Sequence, residues 1–274
     1  MRNLFKNLFA TGLMLTALAT PSLGRAVADG EAPASSPAST PAATQPASGG
    51  DHGIDIAAGV WMPTLNGNIG ASGFTADLRT ELGLKASTSP ALDLTFGRGL
   101  SRFGLGYTSL SSSASSRLTS TLQLNNTTYV TGTTVNSKLN FTSFDASWQP
   151  RLIESDKGNL SALLLVKVID TSASVNAPTL NLSSSSSVTV PAPLIGLSGD
   201  VKLGKSVALY GQVGYVGISR VSLLDYRAGV KAMFTPTFGL SADYRYFGIS
   251  GSDSKSNHVN IRYGGPEIQL RASF

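Results

Sequence analysis

From Gly53 to the C-terminus, apolar residues and small or charged polar residues alternate along most of the chain. A period of two places successive side chains on opposite faces of a β-strand. The alternation predicts ten strands. The first, about 53–62, carries Ile54, Ile56, Ala58, Val60 and Met62 on one face, and the second, about 90–98, sets Leu92, Leu94 and Phe96 against Asp93 and Thr95. In the third, about 102–111, Phe103, Leu105 and Tyr107 oppose Gly104 and Gly106. The fourth, about 137–149, groups Phe144, Ala146 and Trp148, with Leu139 and Phe141 on the opposite face, so a bulge or shifted register is expected there. The fifth, about 159–170, has Ala162, Leu164, Val166 and Val168 on one face and Lys167 on the other, with Leu163 and Leu165 blurring the pattern. The sixth, about 192–203, sets Ile195, Leu197, Val201 and Leu203 against Ser198, Asp200 and Lys202, and the seventh, about 206–217, aligns Val207, Leu209, Val213 and Tyr215. The eighth, about 222–234, places Leu224, Tyr226, Ala228, Val230 and Phe234 against Asp225, Arg227 and Lys231. The ninth, about 237–249, places Phe238, Leu240, Ala242, Tyr244 and Tyr246 against Ser241, Asp243 and Arg245. The tenth ends the chain, with Ile268, Leu270, Ala272 and Phe274 against Glu267, Gln269, Arg271 and Ser273.

A soluble sandwich also alternates, but it covers its outer face with Lys, Glu and Thr. Here one face is aromatic and aliphatic while the other carries charges of both signs. Apolar outside and polar inside is the pattern of a closed sheet in lipid, where every backbone N–H and C=O must be paired internally. The fold class expected is all-β: a single antiparallel up-and-down transmembrane β-barrel of ten strands, with eight or twelve the other even counts. The connections support this. Links after the second, fourth, sixth and eighth strands are short, at 99–101, 150–158, 204–205 and 235–236. Those after the first, third and fifth are long, at 63–89, 112–136 and 171–191, while 218–221 and 250–260 are intermediate. Short turns on one rim and long ones on the other are what a barrel between periplasm and exterior requires.

The N-terminus changes how the charge is read. Arg2 and Lys6 precede the apolar run Leu8–Ala19, which is too short for a membrane helix, and Ala26-Val27-Ala28 offers a cleavage site, with Ala19 and Gly24 as other cutting points. Residues 1–28 are expected to be a signal peptide. Of 21 basic residues, Arg2, Lys6 and Arg25 lie in that signal, so the formal charge of +5 falls to about +2, too balanced for a nucleic-acid-binding surface. Residues 29–52, with Pro33, Pro37, Pro41 and Pro46 among Ala, Ser and Thr, read as a disordered periplasmic linker. Residues 53–274 are the barrel. The chain has no Cys and two His, which excludes disulfides and argues against a transition-metal site; no cofactor is expected.

The last eight residues, Glu267-Ile268-Gln269-Leu270-Arg271-Ala272-Ser273-Phe274, resemble the terminal signal of bacterial outer-membrane proteins. The 53–274 region is similar to small outer-membrane barrels of the OmpA and OmpW type, and Gly59-Val60-Trp61-Met62-Pro63 with Leu65-Asn66-Gly67 resembles a first hairpin of that group. The resemblance implies that Ile268, Leu270 and Phe274 form the assembly signal read by the barrel-assembly machinery. It also implies localisation to the bacterial outer membrane, lipid and lipopolysaccharide as surroundings, and a monomer.

Three functions follow as candidates. A structural or surface-interaction barrel would use Asp55, Asp93, Asp145, Lys167, Asp200, Lys202, Asp225, Arg227, Lys231, Asp243, Arg245, Glu267 and Arg271 as a charge network filling a narrow lumen. A narrow channel or conduit for small solutes or hydrophobic molecules would exploit Gly97, Gly104, Gly106, Gly196, Gly214 and Gly229 on the inner wall, although glycines equally serve sheet curvature. An outer-membrane protease or lipid A-modifying enzyme would need a base, for which His258 is the candidate, with Asp253 and Ser250, Ser252, Ser254 and Ser256 around it; His52 lies on the periplasmic side. No enzymatic activity is expected. The long links carry Ser109–Ser116, Asn125–Thr134 and Ser183–Ser187, read as solvated loops facing lipopolysaccharide sugars or other surfaces. Thr75–Leu84 suggests a short amphipathic helix with Leu78, Leu82 and Leu84 on one side.

Overall fold

The computed structural model describes residues 53–71, 74–97, 99–124, 127–252 and 258–274. The expected signal and linker lie outside these residues, as do His52, Asn125, Asp253, Ser254 and Ser256. The strands are β1 (Ile54–Trp61), β2 (Thr64–Ala71), β3 (Phe74–Asp77), β4 (Ser89–Phe96), β5 (Ser101–Arg117), β6 (Leu122–Leu124), β7 (Thr127–Tyr129), β8 (Thr134–Ser155), β9 (Gly158–Ala177), β10 (Leu182–Lys202), β11 (Val207–Ile218), β12 (Val221–Met233), β13 (Phe238–Ser252) and β14 (His258–Ser273).

Each of β4, β5 and β8–β14 pairs antiparallel with its neighbour in chain order, and β1 pairs with both β4 and β14. The result is a closed ten-stranded barrel. Its seam is sealed at the termini, where the Ile54 amide donates to the Phe274 carbonyl at 3.2 Å and the Phe274 amide donates to the Ile54 carbonyl at 2.8 Å. β2 prolongs β1 along β14 in unbroken register, from Asp55 opposite Ser273 to Gly70 opposite His258, so Pro63 interrupts only the ladder bonds. Gly59 lies at this seam, where a Cβ would come within 1.9 Å of the Ile268 carbonyl oxygen.

The outward rows bear the predicted apolar residues. Ile195 is 70 % and Leu270 69 % accessible, and Ile56, Leu105, Phe144, Val166, Leu209 and Phe238 are exposed with them. Leaving such side chains in water forfeits about 1.5–3 kcal/mol each, so this surface suits hydrocarbon.

Strand lengths are unequal. β11 and β12 have 12 and 13 residues, near what a bilayer needs, while β8, β9 and β10 have 22, 20 and 21. The Ser-rich segments expected as loops, 109–116 and 183–187, are therefore strand, continuing β5 and β10 beyond the far rim; 134–136 likewise opens β8. Cross-strand pairing and a buried inner face hold them. Val135, Leu139, Phe141, Val175 and Leu110 point inward and are covered by Leu118, Leu122 and Tyr129 around the β6–β7 hairpin, whose Tyr129 hydroxyl donates to the Val175 carbonyl at 3.1 Å.

Two further expectations change. Leu139 and Phe141 need no bulge: β8 and β9 run in constant register from Asn136 to Trp148, and the irregularity falls at Arg151/Ile153. Both side chains simply face inward. Thr75–Leu84 is not a helix but β3 followed by a turn. Asp77 there accepts bonds from the Arg79 amide at 2.9 Å and the Thr80 amide at 2.7 Å, and Leu78, Leu82 and Leu84 are buried beneath. Asx-type bonding competes successfully with helix propagation.

The Asp77 carboxyl is held below its ordinary value of 3.8, chiefly by the Thr80 amide bond. A depressed carboxylate stabilises the turn above its unfolded value, and the contribution disappears as pH falls through the lower folded value. Hydrogen exchange at the Arg79 and Thr80 amides is expected to accelerate below about pH 4 relative to β12 amides, and Asp77→Asn is expected to flatten that dependence. For the seam, Gly59→Val is expected to abolish the compact, heat-modifiable band on cold denaturing gels, whereas the outward Val60→Leu retains it.

Candidate functional site

Inward positions of the ten strands form three levels. Nearest the termini is a polar vestibule of about 350 Å³. Arg271 pairs with Asp55, which also accepts from the Ser273 hydroxyl at 2.7 Å, while Lys231 stands 3.9 Å from Asp200, itself bonded by Asn159. Lys202 lines this space but lies exposed at the rim. It is the last residue of β10, two ladder pairs beyond Asp200, and so forms the outermost part of the charged lining.

Above the vestibule is a buried charged level. Lys167, 1 % exposed, reaches Asp145 at 2.6 Å on neighbouring β8 and Asp225 at 3.0 Å on β12, three strands away. Arg227 on β12 crosses the lumen to Asp93 on β4 at 2.8 Å and also approaches Glu267 at 3.3 Å and Asp243 at 3.8 Å. Arg245 on β13 crosses to Asp145 at 3.7 Å and to the Thr108 hydroxyl at 2.9 Å, and meets Glu267 at 3.3 Å. The sequence-predicted residues Asp93, Asp145, Lys167, Asp225, Arg227, Asp243, Arg245 and Glu267 are thus brought into one cluster. Asp200, Lys231 and Arg271 stay in the vestibule.

The ladder explains why this cluster must bridge the lumen. Arg227 sits directly opposite Arg245, and Asp243 directly opposite Glu267. Like charges facing across a sheet repel. The repulsion is relieved only by partners from the opposite wall and by the diagonal Arg–carboxylate contacts. Gly229 makes the space: a Cβ there would lie 2.3 Å from the Asp243 Cβ.

Several members carried no charge signal in the sequence. Gln269, fully buried, donates to Asp93 at 2.6 Å, the Tyr210 hydroxyl donates to Asp243, and Ser143 donates to Asp145 at 2.6 Å. Their inward parity was readable; their partners, on strands far apart in the chain, were not.

The third level is apolar. Phe141 and Phe247 have ring centroids 4.9 Å apart, Phe141 and Tyr263 5.6 Å, and Trp61 and Tyr263 6.3 Å. Leu139, Ile249 and Ile261 join them; Leu163 and Leu165 also face inward and are buried, but on the vestibule side of Lys167, which resolves the blurred pattern of the fifth strand. The levels are coupled, since the Arg245 guanidinium lies 4.9 Å from the Trp61 ring and the Lys167 ammonium 5.6 Å from the Phe247 ring, both within cation–π range. The expected charge network therefore fills only part of the lumen: its far half is a hydrophobic core.

The other candidates are more scattered. His258 Nε2 is 3.5 Å from the Thr75 hydroxyl, and register places Ser252 opposite it. Among the described residues no group of His, Asp or Glu side chains is arranged to hold a metal ion. Ile268 and Leu270 on β14, and Phe274 directly after it, are all exposed on the outer side.

No protein-family model and no curated protein sequence matches the chain. Among solved structures, the outer membrane protease OmpT from Escherichia coli is similar at a TM-score of 0.51 and 12 % identity, over 80 % of this chain and 97 % of that one. Neisserial surface protein A aligns at 0.34 with 16 % identity, over 81 % and 97 %, and the COG4313 outer membrane channel of Pseudomonas putida F1 at 0.39 with 10 % identity, over 85 % and 100 %. The likeness to the protease concerns the fold: the chain has the closed antiparallel barrel of outer-membrane proteins.

Removing one member of a buried ion pair strands its partners at a cost of about 3–5 kcal/mol. Lys167→Met is expected to destabilise the refolded protein by that amount in urea titrations. Lys167→Met combined with Asp145→Asn and Asp225→Asn is expected to recover much of the loss.

Proposed function

We propose that the chain is an integral outer-membrane protein, inserted with both termini on the periplasmic side, whose lumen is plugged and whose role is structural or in surface interaction. One observation carries this reading: two stacked levels cross the lumen, one of ion pairs joining opposite walls and one of packed aromatic and aliphatic side chains. A ten-stranded barrel is narrow enough for side chains to fill it. The vestibule, which would favour a narrow conduit, reaches as far as Asp93, Asp145, Arg227 and Arg245, where the charged level begins. Orientation follows from the short turns and the two ends of the barrel, Ile54 and Phe274, sharing one rim, the side from which export would deliver the chain.

In this reading the surrounding partners are outer-membrane lipids and lipopolysaccharide, the barrel-assembly machinery acts during biogenesis on the Ile268, Leu270 and Phe274 row, and the protein is a monomer. It needs no cofactor and is not an enzyme. The fold shared with the E. coli protease carries no catalytic residue across at 12 % identity.

Planar-bilayer recording of the refolded protein tests the plug. The wild type is expected to show no stable conductance steps. Arg245→Ala alone should remain closed, because the apolar level persists above it, whereas adding Phe141→Ala and Phe247→Ala should produce discrete openings. Large, steady conductance from the wild type would refute the reading. For the enzymatic alternative, purified protein is expected to leave peptide and lipid A substrates intact; turnover that disappears in His258→Ala would refute the assignment.

A further inference from the structure

On the outer face of β5, β8, β9 and β10 the chemistry changes within a single rung. Tyr107, Phe144, Val168 and Pro191 stand side by side in register, and the rungs toward the termini continue with apolar residues such as Leu105, Val166 and Ile195. The next rung away from the termini is Ser109, Thr142, Asp170 and Thr189. From there, four successive rungs run to 115 on β5, 136 on β8, 176 on β9 and 183 on β10. Their outward positions hold only Ser, Thr and Asn, apart from Lys138 and Asp170. With strands about 4.8 Å apart and alternate residues about 6.8 Å apart, this is a sheet face of about 14 by 20 Å.

Its composition is not what strand propensity alone would select. Ser and Asn gain little in exposed strands, where Thr, Val and Tyr stabilise. The side chains are also tied together: the Ser111 hydroxyl donates to Asn140 Oδ1 at 2.9 Å, the Asn140 amide donates to the Ser172 hydroxyl at 3.1 Å, and the Thr189 hydroxyl donates to Asp170 at 2.6 Å. Short, mutually bonded side chains give a flat face whose donors and acceptors lose little freedom on binding.

We propose that this face seats the neutral sugar chain of lipopolysaccharide in the surrounding leaflet. The inference rests on the outer-membrane reading above. One cation and one anion over sixteen positions offer little to a phosphate or a polyanion, and the absence of aromatic and aliphatic anchors gives a protein partner no hot spot. Polyhydroxylated sugars present the matching mixture of donors and acceptors. Placement decides the source. The face is continuous with the lipid-facing rungs, so it lies at the height where a glycolipid's saccharide emerges, and a ligand held in the same leaflet is present at high effective concentration.

The test uses the full mature protein in mixed vesicles, with native mass spectrometry counting bound lipid. The probes are lipopolysaccharide with a complete neutral core, lipid A alone, and free core oligosaccharide. Complete lipopolysaccharide is expected to bind about tenfold tighter than lipid A, the equivalent of one or two net hydrogen bonds. Ser111→Val with Ser172→Val should erase that difference while holding or raising the unfolding midpoint, because Val favours strands. Ser111→Thr with Ser172→Thr, which keeps the hydroxyls, should preserve it. Equal affinity of the wild type for the two lipids, or undiminished discrimination by the Val variant, would overturn the proposal. Free oligosaccharide binding as tightly as the intact lipid would overturn its membrane-borne source. A wild type that stays dispersed without detergent and binds neither lipid would instead sink the outer-membrane reading itself.

Discussion

Backbone pairing is the constraint on which the rest of the molecule depends. A sheet in hydrocarbon cannot leave an edge unpaired, because each unmet N–H or C=O costs several kcal/mol where no water can replace the partner. Here the requirement is met by β1, which bonds β4 on one side and β14 on the other, with Ile54 and Phe274 closing the last rung. Everything else about the interior follows from that closure, since ten strands enclose a space only a few side chains wide.

The chain fills this space in two ways. Toward the termini it uses Lys167, Arg227 and Arg245 against five carboxylates, each cation reaching at least one strand that is not its neighbour. Buried ion pairs contribute little net stability after desolvation. Their effect here is geometric: Arg227 and Arg245 face each other in the ladder and are tolerable only when the opposite wall supplies Asp93 and Asp145. Toward the far rim the inner wall becomes apolar, and Phe141, Phe247, Tyr263 and Trp61 pack as in a soluble core. The cation–π contacts of Arg245 and Lys167 join the two media.

That apolar half also accounts for the asymmetry of the barrel. Extending β8, β9 and β10 past the lipid-facing rungs gives the core a wall on one side, and the Leu78, Leu82 and Leu84 turn with the β6–β7 hairpin covers it. The same strands then have three environments along their length: apolar side chains outside and charge inside, apolar side chains giving way to hydroxyls outside, and a hydrophobic core within. The outer transition between Phe144 and Thr142 occurs over one rung, which marks the upper edge of the apolar outer surface.

The sequence alone determined the strand period, the even count and the outward apolar rows. A side chain facing hydrocarbon has only one acceptable chemistry, so Leu270, Phe238 and Ile195 are legible one residue at a time. It also determined which charges face inward, because parity is local. What only the tertiary structure decided is which of those charges meet. Arg227 and Asp93 lie 134 residues apart, Gln269 and Asp93 176 apart, and no local pattern joins them. The structure likewise decided that Leu139, Phe141, Leu163 and Leu165 are core rather than a disturbed register, and that runs of serine are strand rather than loop. In both cases the deciding partner lies on another strand, and closure of the barrel, not local propensity, brings it into contact.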